Sequence, residues 1–212
     1  MLKATPLSTD VYLVLADVLA EVSECIFLYA RKGLKMYRKM TEGREMDEAE
    51  AKATAKIVAL SAVKYGDLSN QASKDYVFDI DRFTSFEGDT GPYILYTIVR
   101  IKSILTKYVQ SGATLDGIQI QAPLTKHQKD LMIEISKFNA MMEGAYEECA
   151  PHKICAYIYD LCNAFNSFYH ETKIMAEEDE NKKAGFIALL VLCRDILETC
   201  IDVLGFEAPE RM

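Results

Sequence analysis

The fold is organised around residues 85–107, SFEGDTGPYILYTIVRIKSILTK, which open as a turn and continue as a helix. The glycine-rich residues 88–91 cannot hold regular structure, and Thr90 or Gly91 can cap a helix. Pro92 suits the first helical position, where a missing N–H costs nothing. The sequence therefore predicts a turn followed by a helix from Pro92 to Gly112.

One face of this predicted helix is apolar. At about 100° per residue, its apolar side chains fall into one continuous stripe that is typical of a buried face. They are Ile94, Leu95, Ile98, Val99, Ile101 and Leu105. The other side carries two tyrosines and two cations within a band roughly 60° wide. They are Tyr93, Tyr96, Arg100 and Lys107.

The tyrosine face has two interpretations. Tyrosines at the edge of a helix often pack on a neighbouring helix with their hydroxyls in water, beside ordinary solvated charges. Alternatively, the rings receive unstacked bases while the basic side chains neutralise the adjoining phosphates. The spacing is compatible with both interpretations.

Several ordered blocks of the sequence resemble arginyl-tRNA synthetases. The junction between the catalytic core and the anticodon-binding domain of that family is similar to SFEGDTGPYILYTIVRI (85–101), preceded by AVKYGDLSN (62–70) and DYVFDIDRF (75–83). A helix of the DALR-type anticodon-binding domain is similar to PHKICAYIYDLCNAFNSFYHE (151–171). The C-terminus of the family is similar to LGFEAPERM (204–212).

The resemblance covers about residues 10–212 and implies an all-α fold, a helical bundle of the class Ia synthetase anticodon-binding type. It implies two parts. Residues 1–84 resemble the end of the catalytic core or its connector. Residues 85–212 resemble the DALR-type anticodon-binding bundle.

The resemblance also implies which residues contact the anticodon loop. The candidate site residues are Tyr93, Tyr96, Arg100, Lys107, Tyr169 and Met212. All except Lys107 match family positions, and Lys107 is included because it lies on the tyrosine face. Where some relatives place a further aromatic residue, this chain has Lys173. The segment after Gly205 is expected to fold back onto the anticodon loop and to contribute little to the core.

Other helices are predicted from local signals. An apolar helix followed by a basic stretch is predicted within residues 8–43, and a second helix is predicted from Asp47 to a stop at Gly66. Brief strands are expected at most at residues 76–80 and 118–121.

The C-terminal half shows three further helix starts. Thr125 and Gln128 form a capping box, and residues 139–144 are expected to break or bend the helix that follows. Pro151 begins the next helix. A final helix is predicted from Lys182 onwards.

The charge distribution limits the possible ligands. The chain of 212 residues has a net charge of −8, which argues against a protein that holds polyanions by charge alone, and no DNA partner is expected. Residues 92–137 nevertheless carry six cations and three anions, a local balance of +3. Such a balance suits a specific tRNA site that depends more on stacking than on charge.

Membrane, metal and disulfide roles are not expected. No apolar run approaches the roughly 18 residues of a membrane span, and acidic residues interrupt the N-terminal apolar segment, so we expect a cytoplasmic protein. The six cysteines form no C-x-x-C pair and the three histidines show no ligand spacing. The thiols are therefore interpreted as reduced core residues, with no metal site.

Catalytic signatures are absent from the sequence. It has no histidine-glycine-histidine signature, no phosphate-binding glycine loop and no alternation of strands and helices. The resemblance implies that the full-length enzyme joins arginine to tRNA(Arg) with ATP. This chain alone is expected to bind tRNA, to hold no cofactor, to have no catalytic residue, and to partner the catalytic domain of the same synthetase. The alternatives are a stand-alone tRNA-binding paralogue and a helical protein-interaction module.

Overall fold

The computed structural model describes residues 48–77 and 79–212, and these residues are helical without any strand. The helix predicted within residues 8–43 lies outside them. In chain order the elements are α1 (Glu48–Leu68), α2 (Ile80–Phe83), α3 (Gly91–Gln110), α4 (Lys126–Ser136), α5 (Phe138–Glu147), α6 (Pro151–Glu171), a short 3-10 helix (Ile174–Ala176) and α7 (Glu180–Val203). The predicted all-α class is confirmed for this part of the chain.

Helix α3 begins as its local sequence predicts. The Thr90 hydroxyl accepts a hydrogen bond from the backbone N–H of Tyr93 at 3.3 Å and donates one to the Ser85 carbonyl at 2.6 Å. Pro92 lies in the first turn, where no hydrogen-bond donor is needed. The helix ends at Gln110, close to Gly112, whose positive φ of 90° suits a residue without a Cβ.

The apolar face of α3 lies at the centre of the main hydrophobic core. All six residues predicted for that face are buried, and four of them are completely inaccessible: Ile94, Leu95, Ile98 and Ile101. Helices α1, α6 and α7 pack around α3. The core therefore forms where the stripe of apolar side chains was predicted.

Helix α1 approaches the start of α3 very closely at Gly91. A Cβ at this position would overlap the carbonyl of Ser61 and lie 3.0 Å from the amide nitrogen of Ala62. The buried Tyr65 hydroxyl, one turn further along α1, lies 2.5 Å from an Asp89 carboxylate oxygen and 2.9 Å from the Cys155 carbonyl. These contacts join α1, the turn before α3 and the second turn of α6. The domain boundary predicted at residue 84 stays a prediction.

In the N-terminal part the predicted helix stop at Gly66 is wrong, and the brief strand allowed for at residues 76–80 does not form among the described residues. Helix α1 continues past Gly66 to Leu68. Gly66 lies against the Phe83 ring, which would be 3.0 Å from a Cβ there. No strand forms in the described part of residues 76–80. Instead α2 begins at Ile80, and the Asp79 carboxylate accepts hydrogen bonds from the backbone N–H groups of Asp81 and Arg82.

The C-terminal part also differs in detail. The capping by Thr125 is confirmed, since its hydroxyl accepts from the N–H of Gln128 at 3.1 Å. The break falls at Lys137, before the predicted residues 139–144, which lie inside α5. Helix α7 begins two residues earlier than predicted because Asp179 caps it. Residues 118–121 form no strand.

Substituting Gly91 by alanine tests the close helix approach. We expect Gly91→Ala to lower the free energy of unfolding by about 1–3 kcal/mol, because the methyl group forces two backbones apart. Gly144→Ala is the matched control, since its nearest neighbour would be the Lys153 ammonium at 3.9 Å. The control should raise stability by about 0.5–1 kcal/mol, as helix interiors favour alanine. Urea denaturation measures both, and equal effects would contradict the close approach.

Candidate nucleic-acid interface

One cleft collects five of the six predicted site residues. Its volume is about 610 Å³, and it lies between α3, the end of α6 and the chain terminus. The predicted residues that line it are Tyr96, Arg100, Lys107, Tyr169 and Met212. Tyr93 is not among the lining residues.

The Arg100 side chain lies at the centre of this arrangement. Its guanidinium carbon is 4.7 Å from the centroid of the Tyr96 ring and 5.2 Å from the centroid of the Tyr169 ring. Its Nη1 group donates a hydrogen bond to Asn166 Oδ1 at 2.6 Å. Two cation–π contacts and one hydrogen bond therefore hold the guanidinium in place.

The two rings have different surroundings. Tyr169 is 37% exposed, and its ring stacks on that of Phe165 with centroids 6.0 Å apart and an angle of 25° between the planes. It also meets the His170 ring edge-on. Tyr96 is half-buried and packs against the main hydrophobic core, and its ring also meets the Arg100 guanidinium. Of the two, the Tyr96 ring is the less enclosed by other rings.

Tyr93 lies in a hydrogen-bonded environment beside the cleft. Its hydroxyl donates to Asn163 Oδ1 at 2.7 Å and accepts from Asn166 Nδ2 at 2.9 Å, while its ring lies 5.7 Å from that of Tyr159. Burial raises the pKa of Tyr93 above its ordinary value, so the hydroxyl stays protonated at neutral pH. The Tyr93 ring is thus packed on α6 as in the first interpretation, but its hydroxyl bonds two asparagine side chains, and its contact with RNA stays a prediction.

Asn163 and Asn166 were not predicted from the sequence to be site residues. They lie three residues apart on α6, and Asn166 lies three residues before Tyr169, so all three share one side of that helix. This spacing was visible in the sequence. It carried no signal by itself, because asparagine on a helix is most often solvated.

The chain terminus is part of the core, which corrects the expectation that it contributes little. Met212 is only 9% exposed and belongs to the main hydrophobic core together with Phe206. Arg211 forms an ion pair with Glu50 of α1, and the Lys64 ammonium donates to the Gly205 carbonyl. The terminal segment therefore packs across α1 and α3, and Met212 serves both the core and the cleft.

The cations of α3 are not equivalent. The Lys102 ammonium lies 2.9 Å from Glu198 and 2.7 Å from Glu210. Burial by itself lowers the pKa of Lys102, but the hydrogen bonds to the two glutamates outweigh it and raise the pKa above its ordinary value. Lys107 is exposed and makes no ion pair with any described residue. Arg100 and Lys107 are therefore the α3 cations with charge free for an anionic ligand.

The remaining cations of residues 92–137 lie elsewhere. Lys126 and Lys129 are on α4, and Lys137 follows it and pairs with Glu134. None of the three lines the cleft. The local excess of positive charge in the sequence is therefore divided between two helices.

The described residues include no group of three or more His, Cys, Asp or Glu side chains arranged to hold a metal ion, and no described helix is long and apolar enough to cross a membrane. Four of the five described cysteines are buried: Cys155, Cys162, Cys193 and Cys200. Burial raises the pKa of Cys155 to about 12, so this thiol is neutral and packs as a small apolar group. Cys149 is exposed, unlike the core role expected of the thiols.

Comparison with known proteins identifies the class of this helical domain. The model of the DALR anticodon binding domain matches residues 94–212, more than half of the chain. The chain therefore belongs to the DALR anticodon-binding domain family. Residues 94–212 include the whole cleft.

Similar proteins include arginine–tRNA ligases. The chain is 64% identical to the arginine–tRNA ligase of Agathobacter rectalis over 181 residues and 50% identical to that of Alkaliphilus oremlandii over 177 residues. Each match covers 84% of this chain and 30% of the ligase. The predicted resemblance to the C-terminal region of arginyl-tRNA synthetases is confirmed.

Solved structures of arginyl-tRNA synthetases are also similar to this chain. The arginyl-tRNA synthetase of Thermus thermophilus is similar with a TM-score of 0.80 and 26% identity, over 90% of this chain and 32% of that one. The Plasmodium falciparum enzyme shares the fold with a TM-score of 0.74, over 92% of this chain and 33% of that one. The predicted class Ia type of helical bundle is therefore confirmed. The chain spans about 30% of the length of the curated relatives it matches.

Shortening Met212 tests the role of the terminus in the core. We expect Met212→Ala to lower the free energy of unfolding by about 2 kcal/mol, the low end for a buried methionine, because a terminal segment can relax around the cavity. Glu207→Ala on the same segment is the control, since Glu207 is exposed. Thermal denaturation measures both, and an unchanged Met212→Ala melting temperature would contradict the core assignment.

Proposed function

We propose that this chain recognises the anticodon loop of tRNA(Arg) as the anticodon-binding part of an arginine–tRNA ligase. One observation carries the proposal, namely the Arg100 guanidinium held between the Tyr96 and Tyr169 rings in an open cleft of a DALR domain. Similarity to arginine–tRNA ligases supports the choice of tRNA.

The geometry suits an unstacked nucleotide. A volume of about 610 Å³ lies within the range of about 300–1,000 Å³ for pockets that bind small organic molecules. The Tyr96 ring offers a face on which a base can stack, and Arg100 offers N–H donors for a phosphate or for the edge of a base. Lys107, two turns further along α3, supplies a second positive charge for the backbone.

The proposal places the chemistry of the ligase outside this chain. Arginine activation needs ATP, and we propose that the catalytic domain of the same ligase binds ATP and arginine. This chain then contributes tRNA affinity and anticodon choice. Its partners are therefore the anticodon loop and that catalytic domain.

Removing the central ring and the central cation tests the tRNA site. We expect Tyr96→Ala to weaken binding of a tRNA(Arg) transcript by about 1–3 kcal/mol, the range for stacking of a base on an aromatic ring. Arg100→Ala should also weaken binding, and if Arg100 meets a phosphate, the slope of log K against log salt should flatten by about one. Fluorescence anisotropy at several salt concentrations measures both.

Matched controls exclude general effects of removing any exposed tyrosine ring or any exposed cation. Tyr146 is 85% exposed on α5 and Lys129 is exposed on α4, and neither lines the cleft. Tyr146→Ala and Lys129→Ala should therefore bind tRNA like the unaltered chain. A tRNA(Arg) transcript with a replaced anticodon should bind weakly and should not distinguish Tyr96→Ala from the unaltered chain. Unchanged affinity in both Tyr96→Ala and Arg100→Ala would reject the site.

The assignment of catalysis to a separate catalytic domain has its own test. We expect the 212-residue chain, supplied with ATP, arginine and tRNA(Arg), to form no arginyl-tRNA, because adenylation needs a nucleotide site that the proposal assigns to the catalytic domain. The full-length arginine–tRNA ligase of Agathobacter rectalis is the positive control. Arginyl-tRNA above the level of a mock preparation would show that the chain contains a catalytic site.

A further inference from the structure

We propose that Asn166 is a positioning residue that holds the Arg100 guanidinium in place for RNA without cancelling its charge, and that Tyr93 acts on the cleft through Asn166. The inference rests on the proposed function, because it concerns how Arg100 is presented to the anticodon loop. Nothing in the sequence pattern of α3 pointed to a partner on α6.

The hydrogen bonds around Asn166 have a defined direction. The Tyr93 hydroxyl has one proton, and it donates this proton to Asn163 Oδ1 at 2.7 Å. Its oxygen is then left to accept from Asn166 Nδ2 at 2.9 Å. The amide of Asn166 is thereby oriented with Oδ1 towards Arg100, which donates to it at 2.6 Å. Asn166 Nδ2 also lies 3.5 Å from the Thr97 hydroxyl oxygen. Tyr93 and Asn163, with support from Thr97, therefore determine which end of the Asn166 amide meets Arg100.

This arrangement limits how Arg100 can bind a ligand. The Tyr96 and Tyr169 rings lie within cation–π distance of the guanidinium, and Asn166 occupies one of its five N–H donors. The remaining donors lie in the plane of the guanidinium. Arg100 is thus prepared for hydrogen bonds in that plane to a phosphate or a base edge.

Arg100 differs from the neighbouring cations in the chemical type of its side-chain partner. Lys102 is paired with two glutamates, and Arg211 is paired with Glu50. Within the described residues no carboxylate forms an ion pair with Arg100, and its side-chain hydrogen-bond partner is a neutral amide. An amide oxygen accepts the same hydrogen bond as a carboxylate but leaves the positive charge available. Asparagine therefore combines a fixed geometry with an unneutralised cation.

The isosteric change Asn166→Asp tests the charge. It keeps the acceptor for Arg100 and adds a negative charge, so the chain should remain folded with Arg100 neutralised. We expect tRNA(Arg) affinity to fall about tenfold or more and the salt slope to change as it does in Arg100→Ala, which is a flattening by about one if Arg100 meets a phosphate. Ser167→Asp adds the same charge to an adjacent exposed position and should change affinity much less.

The change Asn166→Ala tests the positioning. It leaves the charge of Arg100 but frees the side chain, so we expect affinity to fall several-fold with an unchanged salt slope. In an Arg100→Ala background, Asn166→Ala should have no further effect on affinity. Tyr93→Phe, which removes the hydroxyl and keeps the ring, should reproduce part of the loss.

The outcomes separate this inference from the proposed function. If Arg100→Ala and Tyr96→Ala leave tRNA affinity unchanged, the proposed function fails. If Arg100→Ala weakens binding while Asn166→Asp binds like the unaltered chain, or if the losses in Asn166→Ala and Arg100→Ala add, Asn166 does not position Arg100. Anisotropy across a salt series and thermal melting of each variant provide the readouts.

Discussion

The close approach of α1 and α3 at Gly91 is the constraint on which the rest of the arrangement depends. With no Cβ at Gly91, the start of α3 lies against the carbonyl of Ser61, and the Tyr65 hydroxyl reaches both Asp89 and the second turn of α6. The rotation of α3 about its axis is then determined. Its isoleucines enter the core and its polar side chains emerge beside α6.

The same rotation creates the candidate RNA site. Because α6 runs beside the polar face of α3, side chains from both helices meet: Asn166 binds Arg100, and Tyr169 covers it. The terminal segment closes a further side of the cleft with Met212. The site therefore needs three segments that are far apart in sequence, and each of them also contributes to the core.

The distribution of acidic partners gives the cleft its electrostatic character. Glutamates pair with Arg211, which lines the cleft, and with the neighbouring Lys102. Arg100 meets an amide and two rings and forms no ion pair with a carboxylate of the described residues. A chain with a net charge of −8 can in this way offer a small positive site to a polyanion. Specificity then depends on local geometry more than on overall charge, as the proposed recognition of one anticodon loop requires.

The sequence by itself determined the features that depend on neighbours within a few residues. The caps at Thr90 and Thr125 and the buried stripe from Ile94 to Leu105 are set by backbone hydrogen bonds and helical periodicity, and the structure confirms each. Periodicity also separated the polar face of α3 from its core face. Similarity in several ordered blocks was enough to indicate the family.

Tertiary structure decided the features that depend on segments far apart in the chain. The role of Gly66 follows from the Phe83 ring, which no local pattern places there. Met212 is buried because the terminus returns to the core, and Asn166 matters because α6 lies beside Arg100. The physical reason is that burial and pairing depend on which surfaces meet in space, whereas caps and periodicity depend only on residues within one or two turns.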